Sequence, residues 1–278
     1  MNMFEQAAEV LQSAEAVFIG AGAGLSAAAG LDYTDEQAFA ERFPGMLQYG
    51  VRCQYQLMGY PFSDEALQWG YLSVGLDHVY HAGEKSVYRT LRRIVGERNY
   101  FVMTSNVDRY FHKNGFDRDR IFTPQGDYEL FQCFSRCHDG VWNGKPLVAA
   151  MLPHLNKETQ FIEDRSTLPV CPKCGGPVFM NVRGGHWFVE APYLEQSKTL
   201  NYWLKNIRGK QLAVLEIGAG YNTPGVIRLP MQNIASLFEN STLIRINRDH
   251  ADGPRGTISI AKSADTALSA IAQEAFHE

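Results

Sequence analysis

The chain has 278 residues, 45% of them hydrophobic and 20% charged, with a formal net charge of −4 at neutral pH. That size and balance suit a globular protein with a sizeable core, and the acidic excess excludes any general electrostatic pull towards nucleic acid or anionic lipid. No apolar run approaches the ~20 residues of a membrane span. The first sixteen residues set Glu5, Glu9 and Glu15 among apolar positions at helical spacing, which does not read as a signal peptide. The expectation is a cytoplasmic protein without nucleic-acid or membrane partners.

Ala16–Gly20 is the first of four short apolar runs that read as strands buried on both faces of a parallel sheet. It ends in Gly20-Ala21-Gly22-Ala23-Gly24-Leu25-Ser26. Glycines there let the backbone approach a phosphate, whose charge the N-terminus of a following helix favours. Gly22-x-Gly24-x-x-Ala27 has the spacing of a dinucleotide fingerprint. An ordinary dinucleotide fold, however, needs an acid about 20 residues on at the end of a second strand. Glu41 lies near that distance, but residues 31–44 have no strand character, so that reading fails.

From Leu31 to about His81 the chain is rich in Tyr, Phe, Gln and Met, and reads as a mostly helical insert (32–81) with a mobile start. Cys53 within it reads as a buried core thiol. A helix over Lys85–Val95 and a strand over Tyr100–Thr104 follow, the strand ending in Thr104-Ser105-Asn106. Residues 127–190 show little continuous hydrophobic pattern, so a metal is expected to hold their shape. Leu212–Ile217 ends in Gly218-Ala219-Gly220, and Leu243–Ile246 in Asn247-Arg248-Asp249. A last helix runs from Ala264 to about Phe276, with Ser263 as its cap. The alternation predicts an α/β fold: a doubly wound, mainly parallel, Rossmann-like sheet with a small zinc-binding module and a helical insert, binding ligands outside the carboxyl ends of its strands.

Four of the five cysteines form two close pairs, Cys133-x3-Cys137 and Cys171-x2-Cys174. An odd count without an export signal argues against disulfides and for a metal. Two such turns complete a closed tetrahedral thiolate site for structural Zn2+. The second pair sits in Cys171-Pro172-Lys173-Cys174-Gly175-Gly176-Pro177, where glycine permits a tight turn with amides aimed at sulfur. His138 reads as a neighbour of the site rather than a ligand.

Together these motifs resemble the sirtuin family over nearly the whole chain, 1–278, as a single catalytic domain. The family's Gly-Ala-Gly-x-Ser loop is matched by Gly22-Ala23-Gly24-Leu25-Ser26, and its Gly-Ile-Pro-Asp-Phe-Arg by Gly30-Leu31-Asp32-Tyr33. Its Thr-Gln-Asn-x-Asp motif is matched by Thr104-Ser105-Asn106-Val107-Asp108. Its late phosphate turn corresponds to Gly218-Ala219-Gly220-Tyr221-Asn222, and its Ile-Asn pair to Ile246-Asn247. The resemblance implies NAD+ as substrate. Gly22, Ala23, Gly24 and Ser26 would then hold phosphate, Asp32 the carboxamide, and Tyr33 would cover the nicotinamide. Ser105, Gly218, Gly220, Asn222, Asn247 and Ala264 complete the implied cofactor-binding set. Asn106 and Asp108 would fix the ribose hydroxyls and balance the positive charge that develops as the nicotinamide bond breaks.

The departures from the family decide the reaction. Where the family has a catalytic His before the zinc module, this chain has Gln125-Gly126. Glutamine does not titrate and cannot act as a general base, so efficient lysine deacylation is not expected, whereas nicotinamide loss needs no such base. The Pro and Arg of the cofactor loop are missing. Asn181-Val182-Arg183-Gly184-Gly185-His186-Trp187 stands where the peptide-pairing strand would be; Arg183 there reads first as a solvated side chain and His186 as a structural one, with service to the acceptor side as the second reading. Gln125 and the Gly218–Pro224 turn resemble the microbial M-class sirtuins. That resemblance implies protein mono-ADP-ribosyl transfer to a lipoylated relative of the glycine-cleavage H protein, beside a macrodomain hydrolase and in an oxidative-stress setting. The competing readings are a lysine deacylase with another base, an NAD-sensing module without catalysis, and a free NAD+ hydrolase.

Overall fold

The computed structural model describes residues 2–276. In chain order its helices and strands are α1 (Met3–Ser13), β1 (Ala16–Ala21), α2 (Ala23–Ala28), α3 (Glu36–Arg42), α4 (Glu65–His81), α5 (Ser86–Val95), β2 (Asn99–Thr104), α6 (Tyr110–Lys113), β3 (Ile121–Phe122), β4 (Gly126–Cys133), β5 (Val141–Asn143), α7 (Lys145–Met151), β6 (Val178–Val182), α8 (Ala191–Asn206), β7 (Leu212–Ile217), α9 (Arg228–Leu237), β8 (Ser241–Ile246), β9 (Ile258–Ile260) and α10 (Ala264–Phe276). The chain divides into two compact units. The first comprises Met1–Leu31, Glu84–Gly126 and Glu190–Glu278; the second comprises Asp32–Gly83 and Asp127–Val189.

In the first unit a six-stranded sheet has the order β3-β2-β1-β7-β8-β9, and all its pairings are parallel. The four apolar runs of the sequence form its four inner strands. The outer strands β3 and β9, of 2 and 3 residues, carry no comparable signal. The winding starts at β1, proceeds outward to β3, then returns to β7 on the other side of β1. The order therefore reverses between β1 and β7, where open α/β sheets leave a crevice for ligands.

One face of this sheet packs Phe18, Phe101, Leu212 and Val214 against Leu200, Trp203 and Ile207 of the α8 region and Met231 of α9. The alternate residues, such as Val17, Ile19, Ala213 and Leu215, are equally buried, and α1 and α5 both pack on α10 to form another helical layer. Beside the reversal, Glu216 of β7 lies in register with Arg245 of β8 and accepts from it through two bonds of 2.8 Å. Burial pushes the Glu216 carboxyl up, and Arg245 opposes that shift. Arg228, at the start of α9, adds a second buried guanidinium 3.6 Å from Glu216 and donates to the His250 and Asp252 carbonyls. The segment beyond β8 is thus tied to the sheet.

The second unit joins α3, α4 and α7 to a three-stranded sheet of order β5-β4-β6. Its 32–83 piece is largely helical, as its composition suggests. The start of that piece is a closed turn: Asp32 accepts from the Thr34 amide and hydroxyl, at 2.8 and 2.7 Å, and Asp35 caps α3. Two expectations need correction. Residues 127–189 are not poor in core, because Phe131, Val148, Met151, Ile162, Val178 and Met180 share one cluster with Ala66, Trp69 and Leu76 of α4. Cys53 is half-buried rather than buried, since it caps a short 3-10 turn, Gln54–Leu57. Among the described residues no helix is long and apolar enough to cross a membrane.

Candidate functional site

The loops beyond β1, β2, β7 and β8 are joined by a run of hydrogen bonds at the carboxyl end of the sheet. Gly24 N–H donates to the Gly218 carbonyl at 3.0 Å, and Gly22 N–H to that of Ile217 at 2.9 Å. The two loops meet backbone to backbone. A Cβ on Gly24 would lie 2.7 Å from Gly218 Cα, and Gly218 itself is left-handed at φ 64°. Glycine is therefore required here for loop-to-loop packing, and two amides of the first loop are already engaged. Ala23, which opens α2, has an amide without an intrahelical acceptor. On the far side, Asn247 Nδ2 donates to the Ala219 carbonyl at 2.9 Å, and its Oδ1 accepts from the Asp249 and His250 amides at 3.0 and 2.9 Å.

The β2 loop joins the same network. Ser105 N–H donates to the Ala21 carbonyl at 3.0 Å. Asn106 Nδ2 donates to the Gly22 carbonyl at 2.9 Å and its backbone N–H to Thr104 Oγ1 at 3.0 Å. Among the described residues no donor reaches its carbonyl oxygen. Asp108 is buried and accepts from the Ser26 hydroxyl. The left-handed Arg109, at φ 63°, turns the chain so that Tyr110 N–H also donates to Asp108, at 2.8 Å. Tyr88 of α5 lies beside Ser26, Asn106 and Asp108. Its hydroxyl is buried without a well-formed hydrogen bond among the described residues, an arrangement that costs about 1–3 kcal/mol. Sequence reasoning misses Tyr88, because its position on an amphipathic helix reads as plain core.

Burial raises the Asp108 carboxyl pKa, against the Ser26 hydroxyl, the Tyr110 amide, Lys113 and Lys85. A carboxyl that holds its proton more firmly when folded lowers stability as pH rises from its unfolded pKa to its raised folded one, and the loss persists above. Asp108→Asn, which stays neutral, is expected to raise the Tm at pH 7, with the gain shrinking in acid below the ordinary carboxylate range. Thermal melts at several pH values check this; a lower Tm at pH 7 contradicts it.

Gln125, at the end of the first unit's middle segment, is half-buried, and its carboxamide makes no hydrogen bond among the described residues. Gly220 and Asn222 are exposed on the β7 turn, while Ala264 is buried at the start of α10. Asp32 and Tyr33 belong to the second unit, where the Tyr33 and Tyr128 hydroxyls pair at 2.9 Å. Arg183 and His186 lie exposed in a loop after β6.

The four paired cysteines converge, their sulfurs all within 4.8 Å of one another. Cys133 and Cys174 are 3.7 Å apart, Cys137 and Cys171 3.6 Å. A tetrahedron with Zn–S of ~2.3 Å has edges of about 3.8 Å, so this set fits one zinc ion with no open position. Gly176 N–H points at Cys174 Sγ, at 3.4 Å. Burial resists ionisation of Cys171, but the Cys174 and Lys173 amides and His138 bring its thiol down to about 6. His138 Nε2, 3.6 Å from Cys171 Sγ, is a partner of the thiolate.

No family model matches the chain. In sequence it is 40% identical over 249 residues, 86% of its length, to "Probable bifunctional ADP-ribose hydrolase/ADP-ribosyltransferase" of Fusarium oxysporum f. sp. cubense. It is 29% identical over 250 residues, 87% of its length, to "Protein ADP-ribosyltransferase" of Staphylococcus aureus strain Mu50. The match spans 41% of the first relative and 78% of the second. The solved structure "Sir2-p53 peptide-NAD+" aligns over 100% of both chains with a TM-score of 0.57 at 13% identity, a likeness of fold. The chain thus has the fold of solved Sir2 structures and, by sequence, is similar to proteins named as ADP-ribosyltransferases.

Proposed function

We propose that the chain is an NAD+-dependent protein mono-ADP-ribosyltransferase. The observation that carries this reading is the pairing of Asn106 and Asp108 beside the sheet's reversal point with a glutamine, Gln125, where a sirtuin deacylase has its base. The names of both sequence relatives support it, as does the Sir2 structure of like fold, whose name includes NAD+. On this reading the chain acts as one catalytic domain, with 32–81 and 127–190 as its helical and zinc-binding inserts.

NAD+, when bound, supplies an ADP-ribosyl group whose bond to nicotinamide breaks with positive charge developing on the ribose. Asn106 offers its free carbonyl oxygen to a ribose hydroxyl, and Asp108 sets a carboxylate against that charge. Gln125 orients a group by hydrogen bonding and takes no proton. The Ala23 amide within Gly22–Gly24, with Ser26, serves the phosphates. Gly218, Gly220, Asn222, Asn247 and Ala264 serve the rest of the dinucleotide with Ser105. Asp32 and Tyr33 serve the nicotinamide. Cys133, Cys137, Cys171 and Cys174 hold Zn2+, which supplies structure rather than reactivity.

For the acceptor we favour a lipoylated relative of the glycine-cleavage H protein, as in the M-class sirtuins. A hydrolase of ADP-ribose working beside this transferase is supported by the Fusarium relative, whose name joins both activities. The test is incubation of the chain with labelled NAD+ and a lipoylated carrier. The expected result is label on the carrier with one nicotinamide released per ADP-ribose. Gln125→His is expected to gain lysine deacylation that wild type lacks. Nicotinamide release without labelled protein indicates a hydrolase, and wild-type deacylation that survives Gln125→Ala indicates a deacylase with another base.

A further inference from the structure

Helix α5 buries Val87, Tyr88, Leu91, Ile94 and Val95, and among these Tyr88 alone carries a polar side-chain atom into the interior. Its ring packs edge-on against Tyr110 and Phe111, with centroids 5.7 and 5.0 Å away, contacts that phenylalanine would make equally well. The hydroxyl is sealed from solvent and makes no well-formed hydrogen bond among the described residues, although Ser26 and Asn106 come close enough to favour its ionisation, against burial and the Asp108 charge. A buried donor left in this way does not stabilise the fold. The Asn106 carbonyl oxygen is the matching open valence, since Nδ2 already donates to Gly22.

We propose that Tyr88 is a positioning residue for Asn106, its hydroxyl donating to the Asn106 carboxamide oxygen when the substrate-bound state forms. The inference rests on the reading of Asn106 as the ribose-binding residue. A carboxamide has two N–H donors and two acceptor lone pairs. With Gly22 taking one donor and Tyr88 one lone pair, one donor and one acceptor are left for the ribose hydroxyls. The amide is then fixed against the flip that would exchange its two ends. Burial and the Asp108 charge keep the Tyr88 phenol protonated, as a donor must be.

The test compares wild type, Tyr88→Phe, Asn106→Ala and the double variant in steady-state nicotinamide release, with thermal melts of each. Tyr88→Phe is expected to lower kcat roughly tenfold, to move the NAD+ KM less than about threefold, and to leave the Tm unchanged or raised. In the Asn106→Ala background it is expected to add nothing, as coupled residues do. An unchanged kcat overturns the proposal. So does a kcat loss that comes with a lowered Tm, or one that adds in full to Asn106→Ala. Asn106→Ala with wild-type activity refutes the ribose reading itself, whereas an inactive Asn106→Ala beside a normal Tyr88→Phe refutes only the role of Tyr88.

Discussion

Asn106→Ala is expected to lower nicotinamide release by about 10²–10³, the usual cost of removing one preorganised hydrogen-bonding group from a reacting centre. Asn106 is half-buried and held at both its side-chain amide and its backbone N–H, so little movement is needed for the ribose contact proposed for it. The Tm should fall little, because the single bond to Gly22 is worth about 1 kcal/mol. Asn106→Asp is a sharper control. It keeps the shape but puts a second carboxylate near the buried Asp108, and is expected to be no more active than the alanine variant. Nicotinamide release followed by chromatography checks both, and a variant retaining more than about a tenth of wild-type activity removes Asn106 from the reaction.

Removal of the zinc, or Cys171→Ser, is expected to cost more in stability than any other single change. Structural zinc sites in small domains bind with apparent free energies of about 10–16 kcal/mol, and that binding is coupled to folding. Cys133 and Cys171 also belong to the apolar cluster of Trp69, Phe131, Met151 and Ile162. Losing the metal would leave poorly paired thiols inside that core, so α4 should loosen together with the β4–β6 sheet. Three of the four tryptophans, Trp69, Trp142 and Trp187, lie in this unit. Their fluorescence should shift to the red on chelation, while elemental analysis of the native chain should give one zinc per molecule. A chain that keeps its emission and its melt after complete metal removal would contradict a structural role.

The inner strands were readable because parallel strands buried on both faces form unbroken apolar runs, as in Ala16–Ala21 and Leu212–Ile217. Edge strands as short as Ile121–Phe122 carry no such run, and their pairing comes from the neighbour rather than from their own residues. The core of the zinc-bearing unit escaped notice for a different reason. Ala66, Trp69 and Leu76 lie on α4 and its other buried residues beyond residue 130, so no local window contains both sides. In the loops, sequence shows where glycine occurs but not what approaches it. Gly24 faces the backbone of Gly218, which only the fold reveals. Cys53 differs from its expectation because it caps the 3-10 turn Gln54–Leu57 and stays half-buried.

Ala16 pairs with Leu212, and Gly24 donates to Gly218. During synthesis, therefore, β1 waits with one edge bare until most of the chain has left the ribosome. Such long-range parallel pairing folds slowly and exposes an apolar edge to other chains meanwhile. No fragment that stops before β7 can join the β1 loop to the β7 loop, so premature termination there leaves a sticky apolar edge and an unassembled crevice. The newborn chain is at its most vulnerable for as long as that gap stays open.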